Sequence, residues 1–168
     1  MDDGPMSADC IFCAIAQGQH PAAIVYEDDL TVAFLDITAV MDGHTLVIPK
    51  DHVTDLWQVT SEDAAAVMKT VHRMARRIHD VLQPDGLTLF QANRDAGWQD
   101  VFHLHVHLVP RAAGDHLNRP WKAEPVPLEQ LAATRARLSL LPSEQAAGPP
   151  RRWSTAQPPR CSLPRPEQ

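Results

Sequence analysis

The residues best equipped for chemistry in this chain lie in the run Phe102-His103-Leu104-His105-Val106-His107-Leu108-Val109. Side chains alternate across an extended strand. His103, His105 and His107 are therefore predicted to project from one face and Phe102, Leu104, Val106 and Leu108 from the other, with successive histidines about 7 Å apart. Two chemistries suit that arrangement. A His-x-His pair on a strand can hold zinc with one coordination position open. Alternatively, an imidazole is itself the nucleophile, since its ordinary pKa of about 6.5 leaves a large neutral fraction with a free ring nitrogen. Attack on phosphorus then needs one neutral ring in a fixed tautomer and neighbours that stabilise the oxygens gaining charge. A second motif, Cys10-Ile11-Phe12-Cys13, presents two soft thiolates. Without an export signal this pair reads as metal-binding or redox-active rather than as a disulfide. The third cysteine, Cys161, has nothing nearby to activate it and is given no role.

These residues need elements to position them, and the pattern predicts an α+β fold built on an antiparallel sheet of about five strands. Ile24 to Tyr26 and Thr31 to Leu35 flank the polar Glu27-Asp28-Asp29 and read as a hairpin. Gly43 introduces a third strand, Thr45 to Ile48, which Pro49 closes. The main helix is predicted over Thr60 to Leu82, where Thr60 and Asp63 have capping-box spacing. Val67, Met68, Val71, Met74, Ala75, Ile78, Val81 and Leu82 recur there at helical intervals. Pro84-Asp85-Gly86 turns the chain into a fourth strand, Leu87 to Ala92, and Phe102 to Val109 is the fifth. A shorter C-terminal helix follows Pro127, marked by Leu128, Leu131, Ala132, Arg135 and Leu138.

The whole is 168 residues, room for one ordinary domain, predicted to occupy residues 1–141. From Pro142 to Gln168 there are seven prolines and four arginines with no apolar pattern, which reads as a disordered tail. A formal charge of −6 argues against nonspecific binding to nucleic acid, which draws on a clustered basic surface. The longest apolar runs are too short to cross a bilayer, and the acidic start lacks the blocks of a signal peptide, so a cytoplasmic location is expected.

The triad, together with Cys10-Ile11-Phe12-Cys13, Ala33-Phe34-Leu35-Asp36-Ile37, Gly43-His44-Thr45-Leu46-Val47-Ile48-Pro49-Lys50 with His52, and Asn93 before Gln99, resembles the histidine triad (HIT) family over roughly Cys10 to Arg111. The resemblance implies that His105 is the nucleophile that takes a nucleotidyl group and that His107 contacts the phosphate and leaving group. It also implies that Asn93, Gln99 and His44 line the same site. Asp36 is implied to bind the ribose hydroxyls, while Phe34, Ile37 and Val101 surround the nucleotide. Phe34 and Ile37 read equally well as plain core. The implied reaction is a double displacement on a purine nucleotide, an adenosine phosphoramidate or a diadenosine polyphosphate, with no catalytic metal required. Bacterial-type members that carry the cysteine pair complete a structural zinc site with residues matching His52 and His103, and family members pair as homodimers, which is expected here.

Trp98-Gln99-Asp100-Val101 departs from the commoner Gly-Gln-Ser/Thr-Val pattern. Asp100 puts a carboxylate where the family often places a hydroxyl, which leaves the leaving group open, and Trp98 is a candidate to stack on a second nucleoside. Arg111, Lys50 and Arg94 are the nearby cations in the sequence. A zinc hydrolase with His103 and His105 as ligands, and a nucleotide-binding scaffold with weak catalysis, are the competing readings.

Overall fold

The structure, a computed structural model, describes residues 10–118 and 125–139. They fall into two compact units, Met1–Leu117 and Asn118–Gln168. In chain order the first contains helix α1 (Ile11–Ala16), strands β1 (Ile24–Glu27), β2 (Thr31–Leu35) and β3 (Thr45–Pro49), helix α2 (Ser61–Leu82), and strands β4 (Gly86–Phe90) and β5 (Val106–Arg111). The second contains helix α3 (Leu128–Ser139), which has no buried residue in this structure. The tail predicted from Pro142 onward, with Cys161, lies outside the described residues.

The five strands form one antiparallel sheet in the order β1-β2-β3-β5-β4. Period-two alternation sends Ala33, Val47, Leu104, Val106 and Leu108 to one face, where they pack beneath Val67, Val71, Met74 and Ile78 of α2. Val32, Phe34, Leu46 and Ile48 go to the other, where Phe12 and Ile15 of α1 cover them. Covering on both faces is why β2 and β3 read as continuous apolar runs. The chemistry lies on the α1 side.

Helix α2 starts where Thr60 Oγ1 accepts the Asp63 N–H (3.1 Å), and acidic Glu62 and Asp63 suit the positive end of the helix dipole. Its buried stripe is Val67, Thr70, Val71, Met74 and Ile78. Met68, Val81 and Leu82, which the periodicity had placed inward, are exposed. Met68 is turned about 100° from Val67 by the helical pitch, and Thr70 takes the inward place instead through a 2.7 Å hydrogen bond with Thr31.

Two expectations are corrected. The fifth strand begins at Val106, four residues later than the alternation suggested, and Phe102 is exposed rather than core. The backbone ahead of Val106 satisfies itself elsewhere: Leu104 N–H donates to Val53 O (2.7 Å), and the His103 carbonyl is taken by the His105 ring (2.6 Å). Pro49 at the end of β3 has no N–H to offer a longer ladder. Helix α1 had no counterpart in the sequence reading, although Phe12 and Ile15 carry its i, i+3 signal.

Candidate active site and metal centre

His105 lies just before β5 and His107 within it, both on the α1 side of the sheet, with ring centroids 4.9 Å apart. His105 Nδ1 donates to the His103 carbonyl (2.6 Å), which fixes the proton on Nδ1 and leaves Nε2 with a lone pair. Phe12 stands edge-on to this ring at 5.2 Å and Phe90 lies flat on His107 at 4.0 Å. Neither aromatic was singled out in the sequence. Phe12 carried a signal in its place between the two cysteines, while Phe90 carried none beyond its strand.

The mouth of the β2–β3 hairpin supplies the next pair. Asp36 N–H donates to the His44 carbonyl (2.9 Å), so the two side chains leave the backbone side by side. Gly43, at φ +78°, suits the turn before His44, because residues with a side chain rarely adopt that backbone conformation. His44 Nε2 lies 3.0 Å from His107 Nδ1, while Val40 N–H points at His44 Nδ1 (3.4 Å). That amide needs a lone pair on Nδ1, so Nε2–H donates to His107 Nδ1, and the remaining His107 proton sits on Nε2. Asp36 Oδ1 accepts from the Thr38 N–H (2.7 Å) and hydroxyl (2.8 Å), and Oδ2 is 3.5 Å from His44. Burial opposes ionisation of Asp36, but the Thr38 hydrogen bonds and the neighbouring His44 and His107 outweigh it and hold the carboxyl below its ordinary value.

These side chains line a cleft of about 420 Å³, walled by α1, the hairpin mouth, Phe90 and the loop Trp98–Val101. Ile37 is 97% exposed at its rim and so is not core, whereas Phe34 is both core and cleft floor. Asn93 and Gln99 are not in its walls. Gln99 Nε2 donates to Thr54 O (2.7 Å) and Val101 O (3.0 Å), and its Oε1 accepts the Arg94 N–H (2.7 Å). Asn93 Oδ1 accepts the Leu56 N–H (2.8 Å), and its amide donates to Gln91 (2.7 Å). Both amides are thus occupied in holding loops. Among the described residues no lysine or arginine lines the cleft. Lys50 pairs with Glu27, Arg94 with Asp55 and Arg111 with Asp115.

His103 faces away from the cleft. Its Nδ1 is 3.5 Å from both Cys10 Sγ and Cys13 Sγ, and Cys13 Sγ is 3.2 Å from His52 Nδ1. One ligand atom from each of the four residues falls within 4.8 Å of the others. A tetrahedral zinc, with Zn–S of about 2.3 Å and Zn–N of about 2.0 Å, spaces a sulfur and a nitrogen ligand about 3.5 Å apart, so this donor set fits. His103 Nε2–H donates to Pro49 O (2.9 Å), the outer contact that turns the Nδ1 lone pair toward the sulfurs.

A family model for the HIT domain matches residues 17–114, more than half of the chain. The chain belongs to the HIT family. Protein hit of Bacillus subtilis is 45% identical over 114 residues, covering 67% of this chain and 79% of that one. Adenylylsulfatase HINT3 of Arabidopsis thaliana is 30% identical over 159 residues, covering 89% and 79%. The crystal structure of a zinc-bound histidine triad family protein from Mycobacterium smegmatis superposes with a TM-score of 0.64 at 38% identity, covering 80% of this HIT chain and 98% of that one. The five-stranded α+β fold is therefore the HIT fold.

Burial pushes the pKa of the site histidines down: His103 to about 4, His107 to about 3 with repulsion from His105 and His44 added, and His44 and His105 in the same direction. At neutral pH the rings are uncharged, as a nucleophile requires. The unfolded chain binds these protons first, so the stability they contribute is complete above about pH 6.5 and is lost as pH falls toward 3. The free energy of unfolding should fall as pH drops from 7 to 5, with His107 contributing a slope that approaches about 1.4 kcal/mol per pH unit. His107→Asn is expected to flatten that slope, and an unchanged slope would remove His107 from the account.

Proposed function

We propose that this protein is a nucleotidyl hydrolase that works through a covalent nucleotidyl-His105, on adenosine phosphoramidates or diadenosine polyphosphates. The observation that carries the reading is His105 itself: a neutral ring, its tautomer fixed by the His103 carbonyl, at the wall of a cleft beside His107 and Asp36. His105 Nε2 attacks the α-phosphorus while His107 hydrogen-bonds the phosphate and leaving group, the leaving group departs with a proton from solvent, and water then cleaves the P–N bond to His105 and releases its proton to solvent. In this reading Asp36 Oδ2 accepts a ribose hydroxyl, and Phe34, Ile37 and Val101 lie around the base. Gln99 and Asn93 act as positioning residues, because their amides fix the loops beside the cleft.

Zinc at Cys10, Cys13, His52 and His103 is structural in this reading: four ligands leave no open position, and the ion would tie α1 to the end of β3. A catalytic zinc shared by His103 and His105 is disfavoured, since His105 Nδ1 is committed to a carbonyl and His103 Nδ1 to the sulfurs. A homodimer belongs to the proposal too, with Met68, Val81 and Leu82 on α2 and Leu89 on edge strand β4 offering apolar surface. No helix among the described residues is long and apolar enough to cross a membrane.

The route is tested by stereochemistry. A substrate bearing a chiral α-phosphorothioate, hydrolysed in ¹⁸O-water and read by phosphorus NMR, should give retention at phosphorus, because two in-line displacements each invert it. Net inversion would mean direct attack by water and would refute the covalent route.

A further inference from the structure

The cleft contains two carboxylates, Asp36 and Asp100, and among the described residues no lysine or arginine. Asp36 Oδ1 is occupied by the Thr38 N–H and hydroxyl. Asp100 has no ion pair or hydrogen bond among the described residues, and its charge acts on His105. Its place is set firmly from both sides. Gln99 before it is buried and pinned to Thr54 O, Val101 O and Arg94 N–H, and Val101 after it packs against the cluster containing Phe12 and Phe34. An exposed carboxylate on a backbone fixed in this way at the cleft wall repels a polyphosphate leaving group, which brings further negative charge into a cleft where no described residue supplies a lysine or arginine. It attracts a leaving group that carries positive charge.

We propose that Asp100 is the specificity-determining residue for the leaving group, selecting nucleoside phosphoramidates of amines that bear a second, cationic amino group over dinucleoside polyphosphates. The inference rests on the nucleotidyl-transfer reading above. In the selected reaction the bond from His105 Nε2 to phosphorus forms as the P–N bond to the amine breaks. The amine leaves with a proton taken from solvent while His107 hydrogen-bonds the phosphate, and water then releases the nucleoside monophosphate and returns a proton to solvent. The distal ammonium sits against Asp100 throughout.

The test compares three substrates: an adenosine 5′-phosphoramidate of 1,2-diaminoethane, the same compound made with propylamine, and diadenosine triphosphate. The reading is the ratio of their kcat/KM values, which a general loss of folded enzyme leaves unmoved. The native protein should prefer the diamine compound to the propylamine compound by about fivefold, the upper end for one partly exposed charge pair. In Asp100→Asn that preference should vanish and turnover of diadenosine triphosphate relative to the propylamine compound should rise by about fivefold. Ratios that are the same in both proteins would overturn the role of Asp100. Denaturing quench of the same reactions keeps the two levels apart: nucleotide on His105 with charge-blind ratios sinks only this inference, whereas an unmarked His105 sinks the reading beneath it.

Discussion

His105→Asn is expected to lower kcat on the order of 10⁴-fold or more while leaving nucleotide affinity within a few-fold of native, because removal of a covalent nucleophile costs the whole two-step route. Asparagine matches the ring in polarity and approximate reach, but its amide nitrogen has no lone pair with which to bond phosphorus. The proposed nucleotide cleft is otherwise untouched: Asp36 keeps its Thr38 hydrogen bonds, and Phe34, Ile37 and Val101 remain in the wall. Single-turnover kinetics with equilibrium binding of a non-hydrolysable nucleotide check both halves. A variant that loses binding in proportion to turnover would show that position 105 shapes the pocket instead of reacting. The prediction also separates this enzyme from a scaffold, whose binding role would survive the change with no rate to lose.

The second large effect concerns a residue that touches no substrate. Cys13 is 3% exposed, and burial raises its thiol to about 11, with the neighbouring Cys10 adding to the shift. Such a thiol ionises readily only beside a cation, and a bound zinc would supply that charge. Cys13→Ser should reduce zinc from near one equivalent per chain to a trace and lower the unfolding temperature by more than about 10 °C, the scale expected when a structural metal is lost. Activity should fall with it. His103 offers its ring to the cluster and its carbonyl to His105 Nδ1, so a slack cluster loosens the nucleophile. Metal analysis and thermal unfolding of protein purified without chelator decide the matter, and a metal-free variant of native stability would contradict the structural role.

What the sequence disclosed follows from which interactions are local. The β1–β2 hairpin, the Thr60 cap of α2 and the alternation through Leu104, Val106 and Leu108 are short-range patterns, and each is visible in the chain without its surroundings. The convergence of Cys10, Cys13, His52 and His103 came from family likeness rather than spacing, since most of a chain separates the first two from the last. Three features depend on tertiary hydrogen bonding and were not legible. The start of β5 moved because the carbonyl of His103 was claimed by a side chain. Asn93 and Gln99 left the cleft because loop amides and carbonyls claimed theirs. Phe90 became the platform for His107 only through the β4–β5 register, which sets the two directly opposite.

The covalent step admits a direct observation. Substrate carrying labelled phosphorus is mixed with native enzyme, stopped within the first turnover in alkaline denaturant, where a P–N bond to imidazole survives, and the peptides are sequenced by mass spectrometry. The account predicts a nucleoside monophosphate adduct on the peptide containing His105, located on that ring and absent from His105→Asn. Complete turnover with no marked peptide at any time point, or a mark on His107 in place of His105, would contradict it.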